Sequence, residues 1–172
     1  GTAACRMATN TAEFVARVHA ATGVEPRVLS AGEEAKLAWH GAMASLPPID
    51  GTTMVVDIGG ASTELTIGDT RDGRAMVRDS VSLPHGVVTL TEAELNSYPP
   101  RPEELANGIA IVSDAVGNAV IERPALGDTA RVVGVARSIV TIAAVELGLQ
   151  RFDATRLHGM VLSRAAAEDV FR

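Results

Sequence analysis

The sequence predicts a mixed α/β domain, a mixed sheet flanked by helices, on three observations. Three strand-like segments follow one another through short turns, as in a β-meander. Helical and strand-like segments then alternate to the end of the chain, which puts helices against a sheet. At 172 residues, 47% of them apolar and 21% charged, the chain is long enough to bury a core without a disulfide or metal staple.

Taken in order, Thr9 or Asn10 can cap a helix over 11–22, with Phe14, Val15, Val18 and Ala21 on one face and Gly23 as its left-handed end. Residues 26–30 read as a short strand. Ser30 opens a second helix over 32–45, because Ser30-Ala31-Gly32-Glu33 has the form of a capping box; Pro47-Pro48 stops it. Residues 53–58, Thr-Met-Val-Val-Asp-Ile, are an apolar run that suits a strand buried on both faces. Gly59-Gly60 forces a tight turn into an alternating strand at 63–68. Asp69 to Arg74 is a turn-rich connection to a third strand at 75–82. Helices are expected at 85–96, after Pro84, and at 102–121, after the Tyr98-Pro99-Pro100 loop. A buried strand at 131–135, a helix at 137–147 ending at Gly148, an extended segment at 157–162 and a helix at 163–171 complete the order.

Composition excludes several function classes. Fifteen basic against twenty-one acidic residues give a net charge of −6, which argues against a duplex nucleic-acid binder with its clustered positive footprint and leaves room for a local basic pocket for a small anion. Lys36 is the only Lys, which leaves Arg as the residue for anion contacts. Aromatics make up 3% of the chain, so the core must be built from Ala, Val, Leu and Ile. A single cysteine, Cys5, rules out an intramolecular disulfide framework and a multi-Cys zinc site, and fits a reducing, cytoplasmic setting. No run of about 18 apolar residues occurs, so no membrane-spanning helix is expected. No secretory leader is expected ahead of the first helix. The chain begins at Gly1 with an apolar run, and reads as a piece of a longer protein.

Three motifs carry chemistry. In Asp57-Ile-Gly-Gly-Ala-Ser-Thr-Glu64 a buried strand delivers a carboxylate to its end, and two glycines then allow a phosphate close to backbone N–H groups. Ser62 and Thr63 add hydroxyl donors, and Glu64 returns on the next strand. The functional reading is a phosphate loop between carboxylates that hold a divalent metal or activate water; the plain reading is a glycine turn with a solvated Asp. Gly32-Glu33-Glu34-Ala35 opens a helix, where acidic residues also simply favour the dipole. Val133-Gly134-Val135-Ala136-Arg137-Ser138 is a strand-to-helix junction whose N-terminus suits an anion, or an ordinary connection. The histidines 19, 40, 85 and 158 lack metal-ligand spacing. Cys5 has no base partner in the sequence, and Trp39, Leu37 and Met43 read as core or interface. Arg6 and Asn10 suit capping or a salt bridge as well as ligand contact.

Together these segments resemble the Ppx/GppA exopolyphosphatase and guanosine pentaphosphate phosphohydrolase family, itself similar to the ribonuclease H-like superfamily of actin, sugar kinases and heat-shock-chaperone ATPases. The resemblance rests on Gly1 to Phe14, Leu29 to Gly41, Asp57 to Glu64, Val133 to Ser138 and Leu157-His-Gly159, in the family's order and spacing. It implies that Glu34 is the catalytic base, Asp57 a metal-binding carboxylate for Mg²⁺ (or Mn²⁺), and Glu64 the closing catalytic carboxylate. Gly59, Gly60 and Ser62 would bind phosphate, with Arg6, Arg137 and Ser138 beside them. The implied reaction is hydrolysis of a terminal phosphoanhydride of inorganic polyphosphate or guanosine pentaphosphate.

Four departures from the family pattern stand out. Ala61 replaces a third loop glycine, at a cost if that position needs a positive φ. Arg137-Ser138 stand where Gly-Thr is usual. Ala3 and Met7 replace a Ser and an Asp. The family's first Asp-x-Gly-Ser loop is absent, so residues 1–30 are expected to be the remnant of a first domain and 31–172 a second ribonuclease H-like domain, inactive by itself. An apolar face left by a missing domain would also let such a piece associate as a homodimer. The alternatives are a kinase-type ATPase of the same superfamily, or a nucleotide- or alarmone-sensing domain that kept the fold without turnover.

Overall fold

Each strand of the meander finds its partner through a tight turn. A computed structural model describes residues 1–47, 50–72 and 74–170. Strands β1 (Gly51–Ile58), β2 (Thr63–Arg71), β3 (Arg74–Leu83) and β4 (Arg131–Val135) form one sheet in the order β3-β2-β1-β4. The β1–β2 and β2–β3 pairs are antiparallel; β4 runs parallel to β1, with Asp57 opposite Val135. The sheet is therefore mixed, as the order of segments predicts. The β2–β3 connection is shorter than the 69–74 turn read from sequence: Arg71 pairs with Arg74, and Asp72 takes a φ of 51°. Asp is among the residues that tolerate that left-handed geometry.

The helices are α1 (Ala3–Met7), α2 (Thr11–Thr22), α3 (Ala31–Ser45), α4 (Val87–Glu94), α5 (Pro102–Glu122), α6 (Ala136–Glu146), α7 (Ala154–Leu157) and α8 (Arg164–Asp169), with a 3₁₀ turn at Pro124–Gly127. Among the described residues, none of these helices is long and apolar enough to cross a membrane. The α3 capping box forms as expected: Ser30 Oγ accepts the Glu33 N–H at 3.2 Å, and Glu33 Oε2 accepts the Ser30 N–H at 2.9 Å. Gly23 closes α2 at φ 72°. The α3 helix ends at Ser45, ahead of Pro47; Pro48 of the expected stop lies outside the described residues, as does Phe171 at the end of the last helix.

Alternation along the strands sends side chains to two cores. Leu65, Ile67 and Leu83 face α5 and the 3₁₀ turn, where they meet Ala119 and Leu126. On the other face Val55 meets Trp39 and Ala42 of α3. Trp39 is fully buried and its indole N–H donates to the Thr53 carbonyl at 3.3 Å. A β-bulge at Ile67/Gly68 and a glycine at 68 make room for it; a Cβ there would lie 2.5 Å from the indole ring. Burying such an aromatic contributes about 3 kcal/mol, and it fixes α3 over the middle of the sheet. Leu37, grouped with it from sequence, is instead 57% exposed.

Two strand expectations fail. Residues 26–30 form no strand. Their backbone meets Gly1, which accepts the Leu29 N–H at 2.8 Å and donates its amine to the Arg27 carbonyl at 2.8 Å, and Arg6, which donates to the Leu29 carbonyl at 2.8 Å. A ladder needs a partner strand, and the sheet lies elsewhere. The 157–162 segment is also no strand. Asp153 caps α7 by accepting the Thr155 N–H at 3.0 Å, which draws Leu157 into a helical turn, and Gly159 then turns the chain at φ 71°.

Candidate functional site

The face of the sheet that meets α3 carries the chemistry at one end. Thr53 and Val55 of β1 point to this face, so Asp57, two residues on, does as well. Its antiparallel partner is Glu64 on β2, and Glu64 pairs in turn with Ser82 on β3. Period two thus puts Asp57, Glu64 and Ser82 in one row. Trp39 anchors α3 over Thr53, and the start of that helix brings Glu34 within electrostatic reach of Asp57. The row also lies at the carboxyl ends of the parallel pair β1 and β4, where open α/β sheets bind ligands.

Each carboxylate is held differently. Glu64 is 3% exposed, and its Oε1 accepts from Ser62 Oγ at 2.6 Å and Ser82 Oγ at 2.8 Å. Glu34 Oε2 accepts from Arg6 Nη1 at 2.8 Å, and the same Nη1 donates to the Leu29 carbonyl at 2.8 Å. Glu34 Oε1 has no donor among the described residues. Burial, then the charges of Glu64 and Glu34, push the Asp57 carboxyl above the ordinary carboxylate range. A cation beside Asp57 would relieve that repulsion.

The loop between β1 and β2 is closed by the Gly59 N–H, which donates to the Ser62 carbonyl at 2.9 Å. The Gly59 N–H is therefore spent inside the turn. The N–H groups of Gly60, Ala61 and Ser62 have no protein acceptor among the described residues. Ala61 does not adopt a positive φ, so the missing third glycine costs nothing here. Ala61, Ser62 and Ser82 line a cavity of about 180 Å³, and Arg6 lines it from the opposite element.

At the β4–α6 junction, Ser138 Oγ donates to the Ile58 carbonyl at 3.3 Å, which ties the start of α6 to the end of β1. Arg137 beside it is exposed, with no carboxylate partner among the described residues. Ala136 holds φ 68°, a left-handed conformation that disfavours a residue with a Cβ. Such strain gathers at functional sites.

The donors are hard oxygens, the set that suits Mg²⁺ or Mn²⁺. Among the described residues no group of three or more His, Cys, Asp or Glu is spaced to enclose a metal. Mg²⁺ held by one or two carboxylates and completed by water and substrate phosphate needs no such cage, so Asp57 fits that role. His158, the closing His of the pattern, instead meets the Ser45 carbonyl at 2.8 Å and fastens the chain to the end of α3.

The model of the Ppx/GppA phosphatase family matches residues 1–162. The chain belongs to the Ppx/GppA phosphatase family. Its domain is a mixed α/β unit, a four-stranded mixed sheet with helices, as in the solved Ppx/GppA structures. It is similar to exopolyphosphatase 2 of Mycobacterium tuberculosis, at 32% identity over 149 residues, which cover 86% of this chain and 44% of that protein. A guanosine-5'-triphosphate,3'-diphosphate pyrophosphatase of Vibrio cholerae is 41% identical over 92 residues, 54% of this chain and 18% of that one. Among solved structures, a Ppx/GppA member from Aquifex aeolicus superposes with a TM-score of 0.79 at 31% identity, covering 99% of this chain and 52% of that one. An exopolyphosphatase-like protein gives a TM-score of 0.89 at 31% identity, covering 98% and 53%. The chain thus spans about half the length of the Mycobacterium tuberculosis relative and of the two solved structures.

Of the residues read from sequence, the structure gathers Asp57, Glu64, Ser62 and the loop around one end of the sheet, with Glu34 and Arg6 beside them. Arg137 and Ser138 lie at the adjacent helix start. Sequence reading misses Ser82, whose only signal is its register opposite Glu64. It places the α4 start at 85 but misses the contact that start makes with the loop. Gly86 follows Pro84-His85 without any glycine-rich motif, yet a Cβ there would lie 2.3 Å from the Gly60 carbonyl oxygen.

Proposed function

We propose that this chain supplies the catalytic base and phosphate loop of an exopolyphosphatase, an enzyme releasing phosphate from the end of inorganic polyphosphate. The arrangement of Glu34, Asp57, Glu64 and the 59–62 loop at one end of the β1–β4 pair carries this reading. Residues 1–30 are read as the remnant of a first domain and 31–172 as a second ribonuclease H-like domain.

In-line phosphoryl transfer to water needs positioning and charge stabilisation more than covalent chemistry. Glu34 takes the proton of the attacking water on Oε1, while Arg6 holds its other oxygen and fixes its aim. The N–H groups of Gly60, Ala61 and Ser62 receive the phosphate oxygens. Glu64 orients the Ser62 hydroxyl through a buried hydrogen bond. Arg137 and Ser138 contact further phosphate oxygens from the α6 start. Asp57 would hold Mg²⁺, which when bound would neutralise charge developing on the phosphate.

Guanosine pentaphosphate is the second substrate. The similarity over 92 residues to the Vibrio cholerae pyrophosphatase favours it, and it offers the same terminal phosphoanhydride. Phosphate release by the full-length protein, with polyphosphate and guanosine pentaphosphate side by side in Mg²⁺, tests the reading. Turnover of polyphosphate with a higher kcat/KM than of the nucleotide is the expected result. Tight nucleotide binding with no phosphate release from either compound would overturn it and assign a sensor.

A further inference from the structure

We propose that the first turn of α4 positions the 59–62 loop, with Gly86 and Thr89 as its positioning residues; the inference rests on that loop being the phosphate loop. In a trans peptide the carbonyl of one residue and the N–H of the next point in opposite directions. Fixing three successive carbonyls therefore fixes the three N–H groups that follow them. The Gly59 carbonyl accepts the Val87 N–H at 2.9 Å. The Gly60 carbonyl accepts the Val88 and Thr89 N–H groups at 2.8 and 3.2 Å. The Ala61 carbonyl accepts the Thr89 hydroxyl at 3.3 Å. Through the same three peptide planes the N–H groups of Gly60, Ala61 and Ser62 are turned away from those contacts, and these are the three without a protein acceptor.

Two side-chain requirements follow. Thr89 Oγ1 accepts the Gly86 N–H at 2.9 Å and shares its one proton between the Gly86 carbonyl at 3.2 Å and the Ala61 carbonyl at 3.3 Å, so one hydroxyl links the helix start to Ala61. Gly86 must lack a Cβ, which would lie 2.3 Å from the Gly60 oxygen and 2.6 Å from the Ala61 nitrogen. The first N–H groups of α4, which in a free helix would attract an anion themselves, are consumed here. The device therefore serves the loop and is not a second phosphate site.

Thr89→Val removes the hydroxyl at nearly constant shape, and Thr89→Ser keeps it. Steady-state polyphosphate hydrolysis by the full-length protein in Mg²⁺ separates positioning from mere folding. A loop freed from α4 weakens substrate capture in folded enzyme, so KM rises about tenfold in Thr89→Val, the loss of one hydrogen bond. Thr89→Ser restores KM to within about twofold of wild type. A merely structural role would lower kcat in proportion to the folded fraction and leave KM alone. Gly86→Ala is expected to raise KM further; should it fail to fold, the Thr89 pair decides. An active wild type with unchanged KM in Thr89→Val, or no rescue by Ser, overturns the inference. An inactive wild type instead removes the phosphate-loop reading on which it stands.

Discussion

Asp57 is the residue at which fold and function pull in opposite directions. Burial and the neighbouring Glu64 and Glu34 charges raise its carboxyl above the ordinary range. The fold thus prefers its neutral form. The stability gained from that form is full below the unfolded value, about 3.9, and is lost as pH rises through the folded value. Asp57→Asn should therefore melt above wild type at neutral pH, with the difference closing at about pH 3. Thermal melts at both pH values check this, and a gap that ignores pH would contradict it. Ala136 is a second strained point. At φ 68° its Cβ is disfavoured by about 1–2 kcal/mol, partly offset by the greater unfolded freedom of glycine. Ala136→Gly should stabilise by about 0.5–1 kcal/mol in urea unfolding. At this scale the sequence shows Asp57 and Glu64 plainly, because the strand run and glycine turn are local. Ser82 was not legible, since its hydrogen bond to Glu64 spans 18 positions and depends on register.

Element by element, local chemistry predicts well where the element is self-sufficient. The α3 capping box and the Gly23 end of α2 are written within a few residues, and both form. Residues 26–30 and 157–162 failed because a strand is a relation between segments, and neither pairs with an edge strand, β3 or β4, of the described sheet. The α4 start was placed only roughly, because its first N–H groups are set by loop carbonyls more than 20 positions earlier. Trp39 shows the same dependence on a distant partner, since Gly68 gives it space. Trp39→Ala should cost about 3–5 kcal/mol, read as a lowered urea midpoint. It should also reduce activity beyond the loss of folded protein, because α3 carries Glu34. An activity loss that tracks the folded fraction alone would separate α3 anchoring from the site.

Across the whole molecule, the sheet acts as a collector. Its mixed topology brings β1 and β4 out at the same end, so a carboxylate, a glycine turn and a helix start arrive together although their residues span 57 to 138. The fold was legible because apolar runs and turns recur in an α/β order. The closure of the site was not, because it depends on α3 crossing the sheet and on α4 gripping the loop. Apolar side chains stay exposed on α2 and near the end of the chain, Phe14 at 48%, Phe152 at 74% and Val161 at 91%. The chain spans about half of its Ppx/GppA relatives, so the proposed activity is to be measured on the full-length protein. The central claim is that Glu34 takes the proton of the attacking water. Glu34→Gln keeps the size and an acceptor for Arg6 but cannot serve as that base. Phosphate release from polyphosphate in Mg²⁺ by full-length Glu34→Gln, beside wild type, tests it most directly. The predicted result is a fall in kcat of about 10²–10⁴-fold with KM nearly unchanged; a folded Glu34→Gln protein that keeps wild-type kcat would contradict it.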